Sequence, residues 1–190
     1  MEVVLASASP RRLALLEQVG IAARVCPAVF AEEAGEAVAA QAVALRNALG
    51  KCRAVAAELG DAVPVVAADT IVVIDDVILG KPADAAEAVK MLARLSGRSH
   101  SVLTGVAVRY DGRELAQVCE TKVYFRDLKP AELEAYVATG EPLDKAGAYG
   151  IQGRGALLVE KIEGCYNNVV GLPLTMLYSM LKEIGVIMTA

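Results

Sequence analysis

The sequence predicts an α/β fold: a mixed, twisted sheet with flanking helices, built as one domain over residues 1–190. Three observations carry this. Short apolar runs that read as strands alternate with helical stretches in the first half of the chain. Asp111-Gly112, a strong hairpin signal, sits between two β-rich runs, so part of the sheet is antiparallel. No break in composition marks a linker, and 55% hydrophobic residues in a chain of 190 suffice for a sizeable core.

The elements follow in order. Residues 2–6, EVVLA, form a short apolar run and predict a buried strand. Ser9 is placed to cap a helix with Pro10 at its first position, and Gly20 stops it. Residues 22–30 read as extended and 31–36 as a loop. Alanine-rich residues 36–59 predict a helix with Gly50 as its weak point. Residues 63–69, VPVVAAD, predict a central strand ending at Asp69, and residues 70–82 a hairpin or bent extension turning at Asp75-Asp76. Residues 84–97 show the spacing of an amphipathic helix ended by Gly97. The hairpin runs of 100–110 and 114–125 come next, then a short helix over 129–140. Residues 141–155, EPLDKAGAYGIQGRG, are glycine-rich and irregular. A strand over 156–164 and a closing helix over 172–185 complete the chain.

Composition excludes several classes. A net charge of −4 argues against nonspecific nucleic-acid binding, so any anion site is local. No apolar run approaches the ~20 residues of a membrane helix. Glu2 and the two arginines interrupt the early apolar stretch, so no secretory signal is read and a cytoplasmic protein is expected. Cys26, Cys52, Cys119 and Cys165 are scattered without metal-binding spacing and read as reduced thiols. His100 is the single histidine, which rules out a multi-histidine metal cluster. It reads as a structural residue at a strand start.

Four stretches place charge or glycine where structure alone does not ask for it. In SASPRR, Arg11 and Arg12 follow the cap of a helix, the end that already carries positive dipole. They are either solvated or part of an anion cradle with Ser7, Ser9 and the free N–H groups of the helix start. Asp69 sits where ligands gather in α/β sheets, at a strand end, or simply caps the strand. Lys81 lies between Gly80 and Pro82, which hold the backbone extended. Lys145 and Gln152 lie among glycines that let backbone approach a ligand. With Glu32 or Glu33 in a loop, the set matches a polyphosphate substrate and a divalent metal, Mg²⁺ or Mn²⁺: cations for phosphate, carboxylates for the ion. Neither a Walker loop nor a Rossmann fingerprint is present.

The strings LASASPRR, AADTIVV, ILGKP, LSGRSHSVLTGV, GEPLDKAGAYGIQG and NVVGLPL resemble those of the Maf family, once called septum formation inhibitors. The resemblance runs from residue 5 to about residue 174 and implies a two-lobed fold around a cleft, similar to the inosine triphosphate pyrophosphatases, in a homodimer. It implies cleavage of a nucleoside triphosphate to monophosphate and pyrophosphate. Asp69 matches the family's proton acceptor, and Arg11, Arg12, Lys51 and Lys81 match its phosphate-side cations. Glu32 matches its loop carboxylate, although FAEE departs from the usual Asp-Glu pair, so Glu33 could share the role. Arg12, Thr70 and Gln152 match the positions that separate branches, and they resemble the branch acting on dTTP and UTP. A pyrophosphatase for purine or modified triphosphates, and a regulatory binding protein of cell division, are the alternatives.

Overall fold

Val3, Val4 and Leu5 are at most 1% exposed, so the first strand has no solvent face and must be covered on both sides. The computed structural model describes residues 2–32 and 40–187. In chain order the elements are β1 (Val3–Leu5), α1 (Pro10–Gln18), β2 (Ala23–Val25), α2 (Ala40–Leu59), β3 (Val65–Ile74), β4 (Val77–Leu79), α3 (Ala85–Leu95), β5 (Ser99–Tyr110), β6 (Arg113–Phe125), α4 (Pro130–Val137), β7 (Val159–Glu163), α5 (Tyr166–Val170) and α6 (Leu174–Glu183). Short 3-10 turns occupy Glu141–Asp144, Ala146–Ala148 and Gly153–Leu157.

The sheet runs β2-β1-β3-β5-β6-β7, with β4 added to β3. β1 is parallel to both its neighbours and every other pair is antiparallel, the mixed sheet expected. Side chains alternate between faces along a strand. Val66 and Ala68 of β3 pack with Leu15 and Leu16 of α1 and Leu177 and Leu181 of α6. On the same face, Val72 and Ile74 join a second core with Leu92 of α3 and Leu133 of α4. The opposite face carries α2 over Val65, Ala67 and Ala107. The long strands β3 and β5 thus feed two cores on one face, with a cleft between them.

One edge of β3 explains the opening. β1 pairs with β3 only as far as Val66, and β4 takes up the edge from Val72. Among the described residues, 67–71 have no strand partner on that side, so the sheet is notched where β1 ends.

Asp69 is therefore not at a strand end, as the sequence predicted: β3 continues through it to Ile74, because β5 pairs with it along the whole stretch. The carboxyl end that opens space is that of β1. Asp75 and Asp76 both take positive φ, 49° and 55°, and form the expected turn. Asp111 and Gly112 do the same at 49° and 71°. α2 runs unbroken through Gly50, where a Cβ would lie 2.2 Å from the Phe30 ring, so the lack of a side chain seats the ring. The helix start expected at 36 lies outside the described residues. Of residues 22–30 only Ala23–Val25 pair as strand. Of 156–164, strand begins at Val159, and α5 was not foreseen because YNNVV carries no helical signal. No described helix is long and apolar enough to cross a membrane.

Candidate active site

The notch in the sheet joins both faces in one cavity of about 410 Å³. Alternation sends Asp69 to the α2 face and Thr70 to the face between the two cores, and the missing edge partner lets both line the same space. Ser7, Ser9, Arg11, Arg12, Glu32, Lys51, Lys81, Lys145 and Gln152 line it too, so the expected site residues that lie among the described ones are brought together here. Glu33 lies outside the described residues.

Asp69 is 6% exposed. Lys51 Nζ donates to its Oδ1 at 2.6 Å and Asn47 Nδ2 to its Oδ2 at 3.1 Å. Asn47 and Lys51 are four apart on α2 and share a helix face. Lys51 Nζ also lies 2.6 Å from Glu32 Oε1, so one ammonium gathers both carboxylates. Directly across from Asp69 on β5 is Gly105. A Cβ there would sit 2.3 Å from the Ala44 carbonyl oxygen, and this close approach of α2 is available only to glycine.

Arg12 is held differently from a free cation. Its Nε donates to the Gly171 carbonyl at 2.8 Å, Nη1 to Ser7 Oγ at 2.9 Å and Nη2 to Thr70 Oγ1 at 3.1 Å. Burial draws its pKa down, while Asp69 and Glu32 act in the opposite sense. Thr70 is hydrogen-bonded to Thr104 at 2.9 Å, and Thr104 donates to the Asn168 carbonyl. Ser7 Oγ accepts from the Ser9 amide as well. Ser9 holds the N-cap position of α1, but its hydroxyl makes no cap bond.

The other wall is the 141–155 segment. Asp144 bridges two cations: Lys145 Nζ at 2.6 Å from its Oδ1 and Arg11 Nη1 at 3.2 Å from its Oδ2. Burial raises the Asp144 pKa, but these two partners outweigh it and the carboxyl titrates below its ordinary range. Lys145 also donates to the Glu141 carbonyl at 2.6 Å. Gly150 leaves room for its stem, since a Cβ would lie 2.9 Å from Cε. The Gly147 amide donates to the Gly80 carbonyl, which docks the segment beside Lys81. Lys81 and Gln152 are exposed and have no hydrogen-bond or ion-pair partner among the described residues.

A family model described as Maf-like protein matches residues 2–184. The chain belongs to the Maf family. A dTTP/UTP pyrophosphatase of Dictyoglomus turgidum is 51% identical over 97% of this chain and 96% of its own. One from Moorella thermoacetica is 54% identical over the same shares. Among solved structures, the Staphylococcus aureus Ham1 protein aligns with 96% of this chain and 99% of its own at 13% identity and a TM-score of 0.49, a weak likeness in shape.

For this Maf protein, sequence reasoning missed Asn47, Gly105, Asp144 and Gly171. Asn47 looks like one polar residue in an alanine-rich helix, and only the fold brings it to Asp69. Gly171 stood inside the quoted NVVGLPL string; its φ of 125° turns the carbonyl toward Arg12. His100, 3% exposed, stacks edge-on with Phe125 and Tyr149 and meets the Tyr149 hydroxyl at 2.7 Å. It sits in the second core and does not line the cavity, as its structural reading requires.

Proposed function

We propose that this chain hydrolyses dTTP and UTP to the nucleoside monophosphate and pyrophosphate in the cavity beside Asp69. The observation that carries the proposal is the convergence, in one notch, of a fixed buried carboxylate and a set of cations drawn from both lobes. The names of the half-identical relatives support the reaction and the pyrimidine preference.

The triphosphate tail binds Lys81, Lys145 and Arg11 by charge-assisted hydrogen bonds. Lys145 and Arg11 exchange the Asp144 carboxylate for phosphate oxygens. Water attacks the α-phosphorus, a new P–O bond forms, and the bond from the α-phosphorus to the bridging oxygen breaks. Asp69 takes the proton of the attacking water, with Lys51 and Asn47 holding its two oxygens. The cations stabilise charge on the departing pyrophosphate, and positioning and charge are what such a transfer needs.

The residues fit a divalent ion of the Mg²⁺ or Mn²⁺ kind. Glu32 and Asp69 are oxygen donors gathered at one lysine, and Mg²⁺ takes one or two carboxylates together with substrate phosphates. When bound, the ion would neutralise phosphate charge and acidify water. Among the described residues no three acidic, histidine or cysteine groups form a site of their own, so Glu32 and Asp69 would hold the ion together with substrate oxygens.

Arg12, Thr70 and Gln152 select the base. The Gln152 amide offers an acceptor for pyrimidine N3–H and a donor for the adjacent carbonyl. The family resemblance supports a homodimer in the cytoplasm; light scattering of the purified protein tests the dimer and cell fractionation the location. Pyrophosphate release from UTP, dTTP, CTP, GTP and ITP with Mg²⁺ or Mn²⁺ tests the function. UTP and dTTP are expected to lead, and preference for a purine would refute the branch.

A further inference from the structure

We infer that Asn47 is the positioning residue for Asp69: its buried amide locks the rotation of the carboxylate on which the proposed hydrolysis depends. The inference rests on the reading that Asp69 takes part in the reaction. Asn47 is 2% exposed. The other fully buried residues of α2 are Ala40, Val43, Ala44, Ala48, Cys52, Val55 and Ala56, so among them only Asn47 carries a polar amide. Burying it is unfavourable unless its groups are paired. Its Nδ2 meets Asp69 Oδ2 at 3.1 Å.

Lys51 alone would leave the carboxylate loosely set. The terminal torsion of an aspartate is broad and roughly two-fold. The ammonium is also shared with Glu32 and sits on a long flexible stem. A second donor, on a short side chain rooted in the helix, fixes the plane. Oδ1 is then held by Lys51 and Oδ2 by Asn47, and the remaining lone pairs are left for the cavity. Asn47 does not itself line the cavity, so it acts through Asp69 and not on substrate.

Gly105 makes the arrangement reachable. It faces Asp69 across the β3–β5 pair, and its missing side chain lets the backbone of α2 come close at Ala44. Asn47 follows Ala44 by three residues and Lys51 by seven, which is one helix face.

The test is steady-state hydrolysis of UTP by Asn47→Leu, which removes the donor at similar volume, and by Asn47→Ala, with Asp69→Asn in parallel. Thermal unfolding establishes that each sample is folded. We expect kcat to fall by about 10²-fold in both Asn47 variants, the cost of misplacing a reacting group by about 1 Å. KM for UTP should stay within about threefold, because the phosphate-binding cations are untouched. A purely structural role would lower the melting temperature and leave kcat of folded protein alone. If Asp69→Asn is inactive and a folded Asn47 variant keeps kcat within about threefold of wild type, the inference fails by itself. A rise in KM with kcat intact also overturns it, since Asn47 would then serve binding. If Asp69→Asn retains full kcat, the reading of Asp69 falls and this inference falls with it.

Discussion

On the α2 wall of the cavity Asp69 is 6% exposed and both its oxygens are held by side chains of one helix, whereas on the 141–155 wall the Asp144 side chain is 65% exposed and bridges two cations from different segments. The first wall is complete before substrate arrives. The second is provisional: its carboxylate occupies cations that the proposed triphosphate would claim, and Lys81 beside it has no hydrogen-bond or ion-pair partner among the described residues. The contrast teaches where each kind of work is done. The proposed chemistry needs a carboxylate at a set angle, and Asp69 is buried in helix-on-sheet packing. In the proposed function, grip and release fall to cations that can change partners: Arg11 at the start of α1, Lys145 beside the exposed Asp144, and the exposed Lys81.

Breaking the fixed wall should cost most. Asp69→Asn keeps size and burial but removes the proposed proton acceptor, and kcat is expected to fall by roughly 10²–10⁴ with a folded protein by circular dichroism. Breaking the provisional wall should cost binding. Lys81→Ala removes one charge-assisted contact, so kcat/KM for UTP should drop about 10- to 100-fold at unchanged melting temperature. Arg12→Ala should lose both kcat/KM and melting temperature, because its guanidinium also ties Ser7, Thr70 and Gly171 together. A normal melting temperature for Arg12→Ala would show that this tie carries no stability.

Gln152→Glu sharpens the contrast on the specificity side. The carboxylate keeps an acceptor but loses the donor and meets a carbonyl lone pair, so the ratio of kcat/KM for UTP over CTP should fall by about tenfold or more. An unchanged order of substrates would remove Gln152 as the reader.

His100 supplies a smaller effect, away from both walls. Burial lowers its pKa to about 4 from an ordinary 6.5. The unfolded state therefore binds the extra proton first, so stability is whole above pH 6.5 and falls as pH drops toward 4. The loss is at most about 3 kcal/mol. Urea unfolding across that range should show the slope in wild type, and His100→Phe should flatten it.

Much of this was legible in sequence because chemistry-bearing residues fell in specific strings: SASPRR, ILGKP and DKAGAYGIQG each gave residues that line the cavity. The turns at Asp75-Asp76 and Asp111-Gly112 were legible because they are local. What was not legible depends on non-local contact. Asp69 was placed at a strand end because the apolar run breaks there, while its pairing with β5 carries the strand on to Ile74. Asn47 and Gly105 act only because α2 crosses β3 and β5 at one point, which no spacing along the chain encodes. Arg12 was read as a phosphate cation, and its three protein acceptors come from α5's end, β3 and the β1–α1 turn.

The central claim is that water attacks the α-phosphorus, and hydrolysis of UTP in ¹⁸O-labelled water with products resolved by mass spectrometry tests it most directly. The account predicts UMP carrying one ¹⁸O and unlabelled pyrophosphate. UDP with labelled orthophosphate, or label in pyrophosphate with none in UMP, would contradict it.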